Sequence, residues 1–233
     1  MDNLCIPVYN RPDLLLRCIA SIDIPVDRLL IIDNSIDKSC GWQAEDAAGN
    51  NPNIKDVWVT YPYVNMGVAA SWNFSITQMR AGVTFISNAD TEFGQGDLER
   101  LEMAMLLDGP RWIGMNQDWR VFAINQEAVE RVGLFDTNFH PIYCEDCDYE
   151  RRCTLGGVSW GFIHGTTQHV GSVSWKDSEL AKRENTRTYV ENLAYYIRKW
   201  GGRPRGGETF TTPFDSGGPL DRFPIDLDRL SRL

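Results

Sequence analysis

Hydrophobic residues in the first half of the chain fall into short runs separated by segments with helical spacing. Leu4 to Val8, Leu29 to Ile32, Val57 to Thr60 and Thr84 to Ser87 are uncharged runs of strand length, the pattern of strands covered on both faces of a parallel sheet. Behind Pro12, which suits a first helical turn, Leu14, Leu15, Cys18, Ile19 and Ile22 share one helical face. Val68 to Arg80 has the same spacing. Trp112 to Met115, Trp119 to Ile124 and Val158 to Ile163 predict further strands, with short helices over Gln126 to Val132 and Glu145 to Leu155. Ser178 to Trp200 places Leu180, Tyr189, Leu193, Tyr196, Ile197 and Trp200 at helical intervals, and Gly201-Gly202 supplies a stop. The class predicted is α/β: a mixed, Rossmann-like sheet flanked by helices. The main domain spans 1–175, a C-terminal helix over 176–202 packs on it, and a Gly-, Pro- and Arg-rich extended tail over 203–233 wraps the domain or meets a partner subunit as a homodimer contact.

Charge narrows the ligands. A formal net charge of -9 gives a long-range field of the wrong sign for nucleic acid or an anionic membrane, so a phosphate ligand needs local help. No secretory leader or membrane-length apolar run is legible, and a cytoplasmic protein is expected. The six cysteines show no paired framework. Cys144-x-x-Cys147 lacks the second pair or histidines of a zinc tetrahedron, so reduced thiols are the simpler reading.

Candidate chemistry clusters after the strands. Pro7-Val8-Tyr9-Asn10-Arg11 ends the first and Asp33-Asn34-Ser35 the second, where ligands of open α/β sheets bind. No G-x-G-x-x-G or G-K-[ST] loop is present to cradle phosphates with backbone amides. A carboxylate that first captures a divalent cation could replace it, and Asp90, in Asn88-Ala89-Asp90 after the fourth apolar run, is the candidate. A plain turn cap reads equally well there. Glu145, Asp146 and Asp148 crowd the start of a helix. The dipole alone favours acids at that position, whereas mutual repulsion would raise the pKa of one of them toward general-base duty.

Taken in order, these stretches resemble the inverting nucleotide-sugar glycosyltransferases of the GT-A fold, in particular the rhamnosyl- and galactofuranosyltransferase-like members of glycosyltransferase family 2. The resemblance runs over about residues 3–201. It implies that Pro7, Tyr9, Asn10, Arg11 and Asp33 hold the nucleoside, with Asp33 on the base. Asn65, Gly67 and Asn73 match the segment under the donor. Asn88, Ala89 and Asp90 match the Asp-x-Asp metal motif, with Asn88 departing from its first carboxylate. Gly133-Leu134-Phe135-Asp136 and Glu145-Asp146-x-Asp148 match the stretch that carries the catalytic base, here Asp146, with Glu145 and Asp148 tuning or positioning it. His169 matches a second metal ligand, and Lys199-Trp200-Gly201 the end of the last helix.

The implied reaction is transfer of a sugar from a UDP- or dTDP-sugar to an acceptor hydroxyl. Mn²⁺ or Mg²⁺ sits on Asp90 and His169, and Asp146 accepts the hydroxyl proton. Asp118, Trp119 and Asp148 are expected near the acceptor or sugar. The acceptor is a glycan, a protein side chain or, against the acidic balance, modified DNA. Two rivals remain: a non-catalytic relative that binds nucleotide sugars or glycans, which Asn88 makes conceivable, and a nucleotidyltransferase, which should carry the Gly-rich loop this chain lacks.

Overall fold

The computed structural model describes residues 1–78, 82–169 and 179–215. The segment containing Arg80, the boundary at 175/176, the helix start at Ser178 and the tail beyond 215 lie outside the described residues. Seven strands form one sheet in the order β3-β2-β1-β4-β7-β6-β8, from β1 (Leu4–Val8), β2 (Leu29–Asp33), β3 (Val57–Thr60), β4 (Val83–Ser87), β6 (Arg111–Met115), β7 (Asp118–Asn125) and β8 (Ser159–Ile163). β5 (Thr91–Glu92) and β9 (Gln168–His169) pair as a separate two-stranded ribbon. β1, β2, β3 and β4 run parallel, while β7 lies antiparallel to β4 and β6, so the sheet is mixed as expected.

Pleating explains why the first strands read as continuous apolar runs. Successive side chains leave a strand on opposite faces, and both faces are covered. Leu4, Ile6, Val8, Leu29 and Ile31 join one core with Leu15 and Ile19 of α1 (Pro12–Ala20), Ala44 of α2 (Ser39–Gly49), and Leu98 and Leu101 of α4 (Asp97–Ala104). Cys5, Leu30 and Ile32 join the other with Ala69 and Trp72 of α3 (Gly67–Gln78), Ala128 of α5 (Gln126–Val132) and Tyr149 of α6 (Glu145–Gly156). Sequence periodicity missed α2 and α4. α2 holds Gly41 and starts at a left-handed Lys38 with no side-chain cap, and α4 is only eight residues long. Both depend on packing against the sheet more than on propensity.

The last helix, α7 (Glu179–Trp200), is anchored by buried charge. Lys199 Nζ lies 2.8 Å from Asp136 Oδ2 and 2.5 Å from Asp148 Oδ1, and Trp200 Nε1 donates to Asp148 Oδ1 at 2.8 Å. Removing either partner would strand a charge in the interior. The described part of the tail expected from 203 onward lies against the domain. Thr209 N and Phe210 N donate back to Trp200 O, and Arg151 on α6 donates to Phe210 O, so 203–215 folds onto α6 and α7. No helix among the described residues is long and apolar enough to cross a membrane.

Candidate active site

The strand order turns outward in both directions from β1 and β4, which makes their carboxyl ends a topological switch point where a crevice opens. Register brings Val8 beside Asp33, so the first two polar clusters do lie together. Asn10, in a left-handed conformation (φ 53°), donates its N–H to Ser35 Oγ at 2.8 Å and accepts at Oδ1 from Ile36 N at 3.3 Å. Tyr9 stands exposed beside it. Arg11 is held by Asp13 through two hydrogen bonds of 2.8 and 2.7 Å, and Pro7 is half-buried within β1.

Three expected donor contacts turn inward. Asp33 is fully buried, its Oδ1 accepting from Ser35 N at 2.9 Å and its Oδ2 from Gly41 N at 2.8 Å. This carboxylate pins the start of α2 rather than presenting itself to a base. Gly41 is required there, because a Cβ would stand 2.5 Å from the Tyr61 ring. Asn73 is likewise buried and saturated, exchanging two 2.8 Å hydrogen bonds with the backbone of Phe135. Gly67 has φ +76° and no space for a side chain, since a Cβ would lie 2.8 Å from Pro141 O. Asn65 Oδ1 accepts from Gly67 N, so this motif shapes the entry to α3 and seats the 140–141 loop.

β4 delivers Asn88-Ala89-Asp90 to the crevice. Ala89 packs on the core, and Asn88 N donates to Arg120 O at 2.7 Å while its residue lines the large cavity. The β5–β9 ribbon puts Thr91 opposite His169, and His169 Nε2 donates to Asp90 Oδ2 at 2.7 Å. Two residues 79 positions apart are thereby brought together as the sequence suggested. Asp90 Oδ1 is buried and has no hydrogen-bond partner among the described residues, a cost unless something binds it. An imidazole nitrogen and a carboxylate oxygen suit a borderline-hard divalent ion such as Mn²⁺. Among the described residues no group of three or more His, Cys, Asp or Glu could hold a metal. Asp97, which no motif singles out, holds this arrangement: its buried carboxylate accepts from Gly94 N, Thr166 N and the Thr167 hydroxyl, locking the turn before α4 to the strand carrying His169.

A cavity of about 490 Å³ opens between α3, the end of β4, the start of α6 and the turn after α7. Asn88, Trp119, Glu145 and Asp146 all line it. Burial, and then the charge of Asp146, hold the Glu145 carboxyl well above the ordinary range. The pKa shift expected in this acid cluster thus falls on Glu145, and desolvation leads repulsion as its cause. Its Oε2 has no hydrogen-bond partner among the described residues. Asp146 is half-buried with Oδ1 accepting from Cys147 N at 2.7 Å. Asp148 is corrected: it is fully buried against Arg152, Lys199 and Trp200, anchoring α6 instead of meeting a sugar. Burial, then Asp146 and Glu145, push Cys144 up to about 12, and Cys147 is raised mainly by burial. Neither thiol ionises near neutral pH, which argues against thiolate chemistry.

Asp118 and Trp119 sit on successive positions of β7 and so face opposite ways. Trp119 reaches the large cavity with its Nε1 donating to Glu150 Oε1 at 2.9 Å. Asp118 lines a smaller cavity of about 110 Å³ that also includes Thr91 and His169. Arg120, paired with Asp118, lines both cavities, the smaller one with His169 and the larger one with Glu145 and Asp146. Sequence reasoning passed over it because an Asp-x-Arg pair on a strand reads as an ordinary solvated ion pair.

A mixed sheet with a crevice at its switch point, a carboxylate–histidine pair on one side and an acid-headed helix on the other, has the architecture of the GT-A fold. Residues 4–131 match the family described as Glycosyl transferase family 2, and the chain belongs to it. No curated protein matches the sequence. Among solved structures, the mannosyltransferase PcManGT from Pyrobaculum calidifontis, in complex with GDP-Man and Mn²⁺, superposes with TM-score 0.64 at 15% identity, over 87% of this chain and 65% of that one. GalNAc-T7 with UDP, GalNAc and Mn²⁺ gives TM-score 0.66 at 11% identity, over 86% and 48%. S. aureus TarS 1-349 gives 0.54 at 13% identity, over 71% and 60%. The chain therefore spans between about half and two thirds of the length of these neighbours.

Proposed function

We propose that this chain transfers a sugar from a nucleoside-diphosphate donor to an acceptor hydroxyl, with inversion, using Asp146 as general base. The observation that carries the reading is the joint arrangement of a metal-competent Asp90–His169 pair and a cavity headed by Asp146, with Arg120 lining the space on both sides. A divalent cation, Mn²⁺ or Mg²⁺, on Asp90 and His169 would stabilise charge on the departing diphosphate. Asp146 accepts the proton of the attacking hydroxyl on the far side of the anomeric carbon, which makes the displacement single and in-line. Burial, and then the charge of Asp146, hold the neighbouring Glu145 carboxyl well above the ordinary range, which favours its neutral form beside the base. Trp119 supplies an aromatic edge to the same space. The donor is proposed to be a UDP- or dTDP-sugar and the acceptor a glycan, a protein side chain or modified DNA; the GDP-Man and UDP complexes of the structural neighbours name the first nucleotides to screen.

The test is release of nucleoside diphosphate from a panel of nucleotide sugars with Mn²⁺, for wild type and Asp146→Asn. The variant should lose roughly 10²- to 10⁴-fold in kcat, the range of a positioned proton acceptor, while donor affinity changes less than about twofold. Turnover near wild type would remove Asp146 from the chemistry. Asn88 in place of the motif's first carboxylate favours one alternative, a relative that binds nucleotide sugar without turnover, and donor binding without release from any donor would select it.

A further inference from the structure

We propose that Arg203 seats an oxyanion in the large cavity, either the donor's diphosphate or a phosphate or carboxylate carried by the acceptor. The inference rests on the reading of that cavity as the substrate pocket. Three arginines line it: Arg120, Arg203 and Arg205. Two are neutralised within the fold, Arg120 by Asp118 and Arg205 by Glu150 at 3.1 Å. Arg203 is exposed and has no carboxylate partner among the described residues, although acids outnumber bases 32 to 23 in the chain. A guanidinium presents a planar fork of donors that matches phosphate or carboxylate in a bidentate fashion.

The turn that carries Arg203 is built to hold it. Gly201 has φ +73°, and a Cβ there would stand 2.3 Å from Thr209 Oγ1; at Gly202 it would stand 1.6 Å from Gly207 O. Both positions therefore bar side chains, and the chain doubles back tightly. Glu208 staples the loop, accepting from Arg205 N, Gly206 N and Tyr196 OH at 2.8, 2.8 and 2.7 Å. Gly207 N donates to Arg203 O at 3.1 Å. A rigid backbone thus presents one uncompensated cation to the cavity that contains Asp146, which lowers the ordering cost of binding an anion.

Isothermal titration of the full chain with inorganic pyrophosphate, with UDP plus Mn²⁺, and with glucose 6-phosphate against glucose tests this. Wild type, Arg203→Gln and Arg203→Lys are compared; the residue is exposed, so the variants keep the fold. Loss of a charge-assisted contact predicts roughly ten- to hundredfold weaker binding in Arg203→Gln, partly restored in Arg203→Lys. Weakened pyrophosphate and UDP identify the donor as the source of the anion; weakened glucose 6-phosphate alone identifies the acceptor. Unchanged affinity for every anion, or no anion binding by wild type, overturns the proposal. If Asp90→Ala abolishes Mn²⁺-dependent UDP binding while Arg203→Gln changes nothing, the donor reading stands without Arg203. Anion binding through Arg203 in a chain that turns over no donor would leave this site standing and the transfer reading fallen.

Discussion

Replacing Lys199 with Met tests whether a buried ion network holds α6 and α7 together. The ammonium lies between Asp136 and Asp148 at 2.8 and 2.5 Å, and all three side chains are almost wholly shielded from water. At an effective dielectric near 20 each contact is worth about 6 kcal/mol gross, most of it offset by desolvation. Breaking the pair while leaving two carboxylates inside costs about 3–5 kcal/mol. The sign with pH follows from Asp136. Burial opposes its ionisation, yet Lys199, Asn138 N and Tyr195 OH hold its pKa below the ordinary 3.8. A depressed carboxyl contributes stability above its unfolded pKa and loses it as pH falls through the folded value. The deficit of Lys199→Met should therefore be widest near pH 7 and shrink as pH drops below about 4. Urea denaturation followed by far-UV circular dichroism at several pH values measures it. A deficit under about 1 kcal/mol at pH 7, or one that grows on acidification, would refute the argument.

Glu145→Gln should match wild type in stability at pH 4 and exceed it at pH 8. The raised carboxyl of the wild type destabilises the fold progressively as pH climbs above its ordinary 4.5, and the amide cannot ionise; thermal melts at the two pH values check this, and parallel curves would dismiss it. Gly67→Ala should cost at least 1–2 kcal/mol from the left-handed backbone alone, with more from the 2.8 Å approach of Pro141 O. A neutral result in urea melts would mean the 140–141 loop yields easily. Asp90→Ala should weaken Mn²⁺-dependent nucleotide binding more than tenfold and leave metal-free binding unchanged, as read by calorimetry; equal affinity with and without metal in both proteins would break the ligand assignment.

What the sequence disclosed and what it hid divide along one line. β1, β2 and β4 are buried on both faces, so their apolar runs and the polar residues that follow them are legible, and Asp90 meets His169 because the short ribbon that follows it pairs Thr91 with His169. Residues whose partners lie elsewhere in the chain are not legible in this way. Asp33, Asn73 and Asp148 each carry a polar group of the type a donor or sugar would engage, but Gly41, the backbone of Phe135 and Lys199 claim them first. A motif gives residue type and order, whereas burial depends on which distant segment packs on top. Arg203 was hidden for the opposite reason: a Gly-Gly-Arg-Pro-Arg stretch looks like a loose tail, and only the Glu208 staple turns it into a fixed wall.

The indole rings behind the pocket provide an intrinsic reporter. Trp112 and Trp119 stack with centroids 3.8 Å apart, and Trp72 continues the stack 5.8 Å from Trp119. Chromophores at such separations couple their transitions, so the trio should dominate the near-ultraviolet circular dichroism of the folded protein. Trp72 and Trp119 also border the large cavity, so a sugar or nucleotide entering it alters the surroundings of the coupled rings. Occupancy can then be followed optically, on unlabelled protein, even before the natural donor is known.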